Sequence, residues 1–280
     1  MVAVGEWNRL VVMKIFDRGI YVDGDWLGDI LLPRKEVPEG CKLYDELNVF
    51  LYFDSEDRII ATMQTPKAVA GEVTVLEVVS VGNYGAFLDW GLAKDILVPF
   101  REQRSPMKVG EKQVVVVFYD ERSGRLVASS KLNKFLQHDP IQAREGDAVD
   151  LIICHETDIG RNAVINGTHW GLIHKGDIFE KLTLGDKVTG YIKKIREDGK
   201  VDLSLKKLGY GKVSGLAGEI LDALDASNGF IPLNDKSSPE AISQKFGASK
   251  KAYKMAIGKL YKQELIKIEP DGIRLVGVDS

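Results

Sequence analysis

The sequence predicts a mainly β protein in which three tandem five-stranded barrels precede a small α/β domain. The first observation is a repeated segment, which reads DRIIATMQ at Asp57–Gln64, GRLVASSK at Gly124–Lys131 and GKVDLSLK at Gly199–Lys206. The second is that each copy follows short runs rich in β-branched and aromatic residues, with Gly, Asp or Asn between them, which is typical of strands and turns. The third is a change to helical spacing of the apolar residues beyond Lys206.

Each repeat contains the same succession of strands. It opens with a strand pair that contains glycine, and these pairs read LVVMKIFDRGIYVDG, VTVLEVVSVGNYGAFLDWG and VDLIICHETDIGRNAVING. A short apolar strand follows, at Asp29–Pro33, Asp95–Pro99 and Gly171–Lys175, and then a long strand and the repeated segment. Five short strands with a glycine-centred bend predict the five-stranded Greek-key barrel called the OB-fold. We assign the barrels to 1–67, 68–140 and 141–211.

The long strands alternate poorly between apolar and polar residues, as in QVVVVFYD at Gln113–Asp120. Such a run predicts a strand that is buried on much of both faces. Because units this short are close to the lower size limit for independent folding, we also expect the repeats to pack against one another.

The segment after Lys206 predicts a winged-helix domain at 212–280, which a Gly- and Lys-containing linker, Leu205–Gly215, joins to the third barrel. GLAGEILDALDA has the apolar spacing of a helix, and FIPL is a short strand. Ser238 and Ser249 are placed to cap two further helices, the first of which ends at Gly247. A hairpin turning at Pro270-Asp271-Gly272 completes the order of elements. In the last helix we expect five residues to face inward: Ala252, Met255, Ala256, Ile257 and Leu260.

Composition excludes several classes of protein. The net charge of −3 gives the whole chain no affinity for polyanions, so a nucleic-acid site must be a local patch. Two cysteines, Cys41 and Cys154, are poor material for a disulfide framework and fit a reducing compartment. The N-terminus lacks the pattern of a signal peptide, and the longest apolar runs have the length of strands. We therefore expect a cytoplasmic protein without membrane association.

The sequence predicts no catalytic, metal or cofactor site. No Gly-rich phosphate loop ending in GK[ST] occurs, and Gly211–Gly215 reads GKVSG rather than GxSxG. Three histidines lie near Cys154 in the third repeat, but without the spacing of a zinc motif: His155, His169 and His174.

The stretches YGAFLDWG, DILVPF, VGEKQVVVVFYD and GRLVASSK resemble, in their order and spacing, the S1-type RNA-binding repeat. Three such repeats followed by a winged helix resemble the bacterial conserved virulence factor B family over essentially the whole chain. In S1-type repeats the strand aromatics, a His and the basic residue of the last strand line the RNA face. The resemblance therefore implies a protein that binds RNA.

Carried over residue by residue, the resemblance makes the middle repeat the best candidate for base stacking. This repeat keeps Tyr84, Phe87, Asp120 and Arg125, and has Val98 in the place of the His. Gly85, between the two aromatics, is expected to let the strand bend and a ligand backbone approach.

The first and third repeats keep fewer of these residues. The first has Tyr21, Asp54 and Arg58, with Arg18 at the first aromatic position and Leu32 at the His position. The third has His174 and Lys200, with Ile159 and Asn162 at the aromatic positions and Arg196 at the acidic one. The first repeat also carries 12 acidic and 8 basic residues, which weakens the prediction that it binds phosphate.

The tail has a local excess of positive charge, because Lys245–Lys267 contains seven Lys and one Glu. A winged helix usually lays the second helix of its turn motif in the major groove of DNA. Here Lys250, Lys251 and Lys254, together with Tyr253, begin that helix. They are candidates for phosphate contact to DNA or structured RNA, and the alternative is a solvated face or a protein-binding module.

Three hypotheses follow. The first is a cytoplasmic regulator without enzymatic activity that holds single-stranded RNA on its barrels and changes the access of nucleases or ribosomes to it. The second is a protein-interaction adaptor, and the third is a DNA-binding transcription regulator that acts through the winged helix. Three tryptophans precede the short strands at unequal offsets, so we expect loop residues that cover the barrels rather than a shared binding role: Trp26, Trp90 and Trp170.

Overall fold

The structure, a computed structural model, describes residues 2–179, 181–206 and 215–276. Within these ranges it contains three five-stranded β units and a C-terminal domain of three helices and three short strands. The fold predicted from the sequence is confirmed. The predicted linker, apart from its ends, and the proposed boundary at 211/212 lie outside the described residues. The boundaries at 67/68 and 140/141 fall between the strands of successive units and remain proposals.

The first unit is a closed barrel. Its strands are β1 (Trp7–Phe16), β2 (Gly19–Asp23), β3 (Asp29–Pro33), β4 (Glu46–Phe53) and β5 (Ile59–Thr62), in the order β1-β2-β3-β5-β4. All neighbours are antiparallel except β3 and β5, whose parallel pairing closes the barrel.

The second unit repeats this order as a sheet that stays open. Its strands are β6 (Val73–Gly82), β7 (Gly85–Leu88), β8 (Ile96–Pro99), β9 (Lys112–Asp120) and β10 (Arg125–Ser129), in the order β10-β9-β6-β7-β8. The edge strands β8 and β10 lie close to each other but are not neighbours in the hydrogen-bonded order of the sheet.

The third unit is again a closed barrel. Its strands are β11 (Ala148–Thr157), β12 (Gly160–Ile165), β13 (His169–His174), β14 (Lys187–Ile195) and β15 (Val201–Ser204), in the order β11-β12-β13-β15-β14.

The long strands β4 and β9 are buried on both faces because neighbouring repeats share apolar clusters. In β4, Val49 and Leu51 enter the core of the first barrel, while Phe50 and Tyr52 join the core of the second repeat. In β9, Val115 and Val117 face the core of their own repeat. The alternate residues Val114 and Val116 pack in a cluster with Cys154 and Val164 of the third repeat. These strands alternate poorly between apolar and polar residues because one face packs in the core of their own repeat and the other face packs against the adjoining repeat.

The C-terminal domain has the predicted winged-helix order. Its elements are α1 (Leu216–Ala226), β16 (Phe230–Ile231), α2 (Pro239–Phe246), α3 (Lys250–Lys262), β17 (Ile266–Ile268) and β18 (Ile273–Leu275). Ser238 and Ser249 accept the backbone N–H of Ala241 and Ala252, as N-cap residues do, and Gly247 ends α2 in the left-handed region at φ 60°.

The inward face of α3 differs from the predicted one. Ala256, Ile257 and Leu260 are buried as expected, but Ala252 is exposed and the side chain of Met255 is 69% exposed. Tyr253, which we grouped with the lysines at the start of the helix and not with the inward residues, is fully buried, stacks on Phe246 at 5.5 Å and donates a hydrogen bond to the Leu233 carbonyl. Burial raises its pKa to about 12. The helix therefore turns its aromatic residue inward and its methionine outward.

The contacts between residues group the chain into two compact parts, whose limits do not coincide with those of the repeats. One contains Met1–Gln142, Val149–Thr189 and Glu197–Lys200, and the other contains Ala143–Ala148, Gly190–Arg196 and Val201–Ser280. Among the described residues, none of the helices is both long enough and apolar enough to cross a membrane.

Candidate nucleic-acid interface

Tyr84 and Phe87 lie at one end of the strands of the second sheet, around the turn from β6 to β7. Tyr84 stands in the turn and its side chain is 77% exposed, whereas Phe87 lies within β7 and is half-buried. Phe87 is paired with Ser80 of β6 and Leu97 of β8, so both flanking strands fix its position. The two rings thus offer an exposed face and a partly covered face to a ligand.

Gly85 has a different role from the one we expected. A Cβ atom at this position would lie 2.1 Å from the Val98 carbonyl oxygen, and the residue has φ +152°. A Cβ atom added at Gly19 would lie 2.2 Å from the Leu32 carbonyl oxygen, and one added at Gly160 would lie 2.0 Å from the Ile173 carbonyl oxygen. The glycine is therefore required for the close approach of the third strand to the second in each repeat, since the carbonyl of the neighbouring strand occupies the place of a Cβ.

A cleft of about 430 Å³ opens beside these rings, where the first repeat meets the second. We call it the aromatic cleft and define it by six of its lining residues: Phe53, Asp57, Tyr84, Phe87, Lys94 and Arg125. Phe53 of β4 stacks on Tyr119 of β9, with ring centroids 6.5 Å apart, and so continues the aromatic surface from one repeat to the next.

The cations of the aromatic cleft are paired with carboxylates. Arg125 Nη2 lies 2.6 Å from Asp57 Oδ2, and Lys94 Nζ lies 2.9 Å from Asp57 Oδ1. Lys94 also donates to the Asp54 carbonyl at 2.6 Å. Asp57 belongs to the turn between β4 and β5, so an acidic turn of the first repeat neutralises the basic residues of the second.

Asp120 is buried and stabilises the second sheet through hydrogen bonds to its own repeat. It pairs with Arg125 in the strand register, but its carboxylate accepts hydrogen bonds from Ser123 and Arg101. The Ser123 hydroxyl, followed by the charge of Arg101, lowers the pKa of Asp120. Asp120 therefore holds Arg101 and the β9–β10 turn in place.

In the first repeat the structure brings Arg18 and Tyr21 together. The Arg18 guanidinium lies 5.6 Å from the centroid of the Tyr21 ring and donates to its hydroxyl, and Phe16 meets the same ring edge-on at 5.7 Å. Arg58 stands apart, between the Asp54 and Glu56 carboxylates at 2.7 Å each. A phosphate would have to compete with both acids for Arg58.

The strand pairing shows which residues of the first two repeats are equivalent to His174 of the third. They lie one position after the residues that we aligned with it from the sequence. Gly160 is paired with His174, just as Gly19 is paired with Pro33 and Gly85 with Pro99. Pro33 and Pro99, rather than Leu32 and Val98, therefore occupy the place of His174. Asn162 stands where Tyr21 and Phe87 stand, two residues after the glycine, and Lys200 pairs with Asp198 at 2.8 Å.

In the winged helix the three predicted lysines lie at the start of α3. Lys251 and Lys254 are exposed, and Lys250 is half-buried. Lys254 lies 3.8 Å from Asp235, and Lys250 donates to the Lys236 carbonyl at 3.4 Å. Lys251 and Met255 are thus both exposed at the start of this helix.

The three tryptophans have unlike environments. Trp90 is buried, donates to the Ala68 carbonyl at 2.8 Å and meets the ring edges of Phe50 and Tyr52. Trp26 is 70% exposed, and Trp170 is half-buried. The prediction of loop residues is wrong for Trp170, which lies within β13, and Trp90 belongs to the core beneath the aromatic cleft as well as to its lining.

Sequence reasoning missed the first repeat's contribution to the aromatic cleft. Phe53 and Asp57 line it although they belong to the preceding repeat, and Lys94 and Arg101 come from loops of the second repeat. The signal that could have indicated this is the acid-rich turn DSEDR at Asp54–Arg58, which has more carboxylates than Arg58 alone needs.

Two segments match known domain families. Residues 218–275 match the CvfB-like winged helix domain, and residues 4–64 match the S1 domain.

Most of the chain is similar to bacterial proteins over most of their own length. It is 35% identical to the uncharacterized protein YitL of Bacillus subtilis over 272 residues, which cover 92% of this chain and 89% of that protein. It is 26% identical to conserved virulence factor B of Staphylococcus epidermidis, over 97% of this chain and 94% of that protein. In fold it resembles a multidomain protein with nucleic acid binding domains from Streptococcus pneumoniae, with a TM-score of 0.50, 24% identity and 98% coverage of both chains.

Proposed function

We propose that this chain, which belongs to the conserved virulence factor B family, is a non-catalytic cytoplasmic regulator that binds single-stranded RNA in the aromatic cleft. Its S1 and winged-helix domains are of nucleic-acid-binding type. The structural relative from Streptococcus pneumoniae, described as having nucleic acid binding domains, supports extending this property to the present chain. The choice of RNA, and of the second repeat as its site, is our inference from the geometry.

The observation that carries the proposal is the pair Tyr84 and Phe87 at the mouth of the aromatic cleft. A tyrosine side chain that is 77% exposed contributes little to the core, so its ring is available to a partner. A base stacked on an aromatic ring gains roughly 1–3 kcal/mol, and every base has a face that can stack. An exposed ring, a half-buried ring and an adjoining cleft together form a platform for one or two unpaired bases.

The charges of the aromatic cleft indicate how the RNA is held there. Its cations Lys94 and Arg125 are both bound to Asp57, and Arg101 is bound to Asp120. Because phosphate contacts require free cations, stacking rather than ion pairing contributes most of the affinity at this cleft. Duplex nucleic acid cannot present its bases to such a platform without unpairing.

The test is fluorescence anisotropy of the full chain with labelled single-stranded RNA, single-stranded DNA and duplex DNA. We expect micromolar or tighter binding of the RNA and loss of that binding in the Tyr84→Ala/Phe87→Ala variant. Binding that the double variant retains in full would contradict the site. Absence of binding to all three probes at low salt would contradict the function and favour a protein-interaction adaptor.

A second candidate function is supported by the start of α3. Lys251 and Lys254 are exposed there on the helix that winged-helix proteins usually insert in the major groove. The start of α3 has no Arg, Asn or Gln to contact base edges, so we expect its contact to duplex DNA to be mainly to phosphate and weakly specific. A preference for duplex DNA that is lost on Lys251→Ala/Lys254→Ala substitution would favour this function over the first.

A further inference from the structure

A second cleft, of about 390 Å³, lies where the second repeat meets the third. We call it the junction cleft and define it by five of its lining residues: Arg104, Lys131, Lys134, His155 and Trp170. The first three come from the segments that follow β8 and β10, and the last two come from β11 and β13. None of these residues was singled out as a nucleic-acid contact from the sequence.

The floor of the junction cleft is apolar. Val114 and Leu132 are buried there within the cluster that joins the second and third repeats, and Trp170 and Leu184 pack against that cluster. An apolar floor favours the flat face of a base or sugar over bulk water.

The rim of the junction cleft is cationic, with three basic residues and no acidic one among the described lining residues. Lys134 is held by Glu102, at 2.7 Å, and lies over the Phe118 and Phe135 rings. Arg104 and Lys131 have no carboxylate within ion-pair distance in the part of the chain that the structure describes. The aromatic cleft differs in this respect, because there Asp57 and Asp120 neutralise the cations.

The free cations are attached to a fixed backbone. The Arg104 N–H donates to Ser130 Oγ at 2.8 Å, and the Lys131 N–H donates to Ser129 Oγ at 3.1 Å. The first of these bonds joins the loop that carries Arg104 to the segment after β10 that carries Lys131. Two positive side chains from joined segments can then meet one anion with a smaller loss of backbone entropy.

The charge of Arg104 also acts on the opposite wall of the cleft. Burial, and next the Arg104 charge, lower the pKa of His155, whose Nε2 lies 2.9 Å from Asn162 Nδ2. In this arrangement the Asn162 amide donates to an unprotonated ring nitrogen. His155 is thus a neutral wall residue, and the positive charge of the cleft is concentrated on its basic rim.

We propose that the junction cleft is a second RNA site, at which Arg104 and Lys131 bind the phosphodiester backbone of single-stranded RNA. This inference rests on the proposed function. It divides the work between two clefts: the first, with neutralised cations, holds bases, and the second, with free cations and an apolar floor, holds a phosphate and the nucleotide attached to it.

The experiment measures the affinity of the full chain for a labelled single-stranded RNA over a range of salt concentrations. The test variant is Arg104→Ala/Lys131→Ala. The control is Lys108→Ala/Arg144→Ala, which removes the same two residue types and the same charge from exposed positions outside both clefts. A third variant, Arg104→Lys/Lys131→Arg, keeps the charge and is expected to retain binding.

Each phosphate contact to a single strand contributes about 0.7 to the slope of log affinity against log salt. We therefore expect the test variant to lower the slope by about 1.4 and the affinity at low salt on the order of tenfold, with the control unchanged. Equal slopes for test and control variants, in a protein whose RNA binding depends on Tyr84 and Phe87, would overturn the junction site and leave the proposed function standing. A wild-type protein that binds no RNA would overturn both, and a loss confined to the test variant would support the junction site while contradicting the aromatic one.

Discussion

Asp57 in the first repeat holds Arg125 in the second, with the Arg125 Nη2 and Asp57 Oδ2 atoms 2.6 Å apart. The same carboxylate binds Lys94, and the hydrogen bond from Lys94 is the largest cause of the lowered pKa of Asp57. The acidic turn of one repeat therefore occupies the basic residues of the next. An RNA phosphate that approaches Arg125 must displace a carboxylate of the protein itself.

Replacing Asp57 by Asn is expected to increase RNA affinity. Asn tolerates the left-handed backbone of this position, φ 59°, and removes the charge that neutralises Lys94 and Arg125. If both cations become free for phosphate, the salt slope for single-stranded RNA steepens by about 1.4. Anisotropy titrations at several salt concentrations measure this. A fall in affinity would mean that Asp57 positions the two cations for RNA rather than competing for them.

The Tyr84→Ala substitution, which removes the ring, is expected to weaken RNA binding without a measurable effect on the free energy of unfolding. The loss of one stacked base corresponds to roughly 1–3 kcal/mol, or about 5- to 150-fold in affinity, and a side chain that is 77% exposed makes few packing contacts. The matched control is Tyr44→Asn, which removes a ring that is 74% exposed, at a position whose φ of 70° suits Asn. Similar losses in the two variants would show that exposed aromatics matter only in general, and not through the aromatic cleft.

Replacing Trp90 by Ala is expected to destabilise the protein by about 3–5 kcal/mol, as the loss of a buried large aromatic does. Trp90 packs between the first and second repeats and hydrogen-bonds the Ala68 carbonyl. Trp26→Ala, which removes a 70% exposed ring, is the control and is expected to have an effect within about 0.5 kcal/mol. Urea unfolding followed by circular dichroism distinguishes the two. Equal midpoints for both variants would contradict the role of Trp90 in joining the repeats.

The free energy of unfolding is expected to contain a contribution from His155 that is lost in acid. The pKa of His155 is lowered in the folded state by burial and by Arg104, so below about pH 6.5 the unfolded chain binds a proton that the folded chain does not. Stability from this group is thus complete above pH 6.5 and declines as the pH falls through the folded pKa. The difference in stability between the wild type and His155→Gln should shrink from pH 7.5 to pH 5.5. A difference in unfolding free energy that stays constant between these two pH values would contradict this.

The strand pattern was predictable because it depends on local residue types. The repeated segments, the glycines at 19, 85 and 160, and the capping serines of the tail all lie where the structure needs them. The poor alternation in β4 and β9 indicated burial on both faces, although the second surface is the neighbouring repeat rather than the barrel's own interior.

What the sequence did not predict are relationships between distant residues. Asp57 reaches Lys94 and Arg125, 37 and 68 positions away along the chain, and no local pattern encodes such a contact. The prediction of which face of α3 points inward was wrong for a related reason. Tyr253 and Met255 are both large apolar residues, and the choice between them depends on Phe246 and the Leu233 carbonyl, which lie on other elements.

Photocrosslinking of the full chain to a single-stranded RNA that carries 4-thiouridine, with the modified residues identified by mass spectrometry, tests whether bases stack in the aromatic cleft. Crosslinks are expected at Tyr84 and Phe87, in the segment from the β6–β7 turn through β7. Crosslinks confined to α3 or to the first repeat, with none at Tyr84 or Phe87, would contradict base stacking in the aromatic cleft.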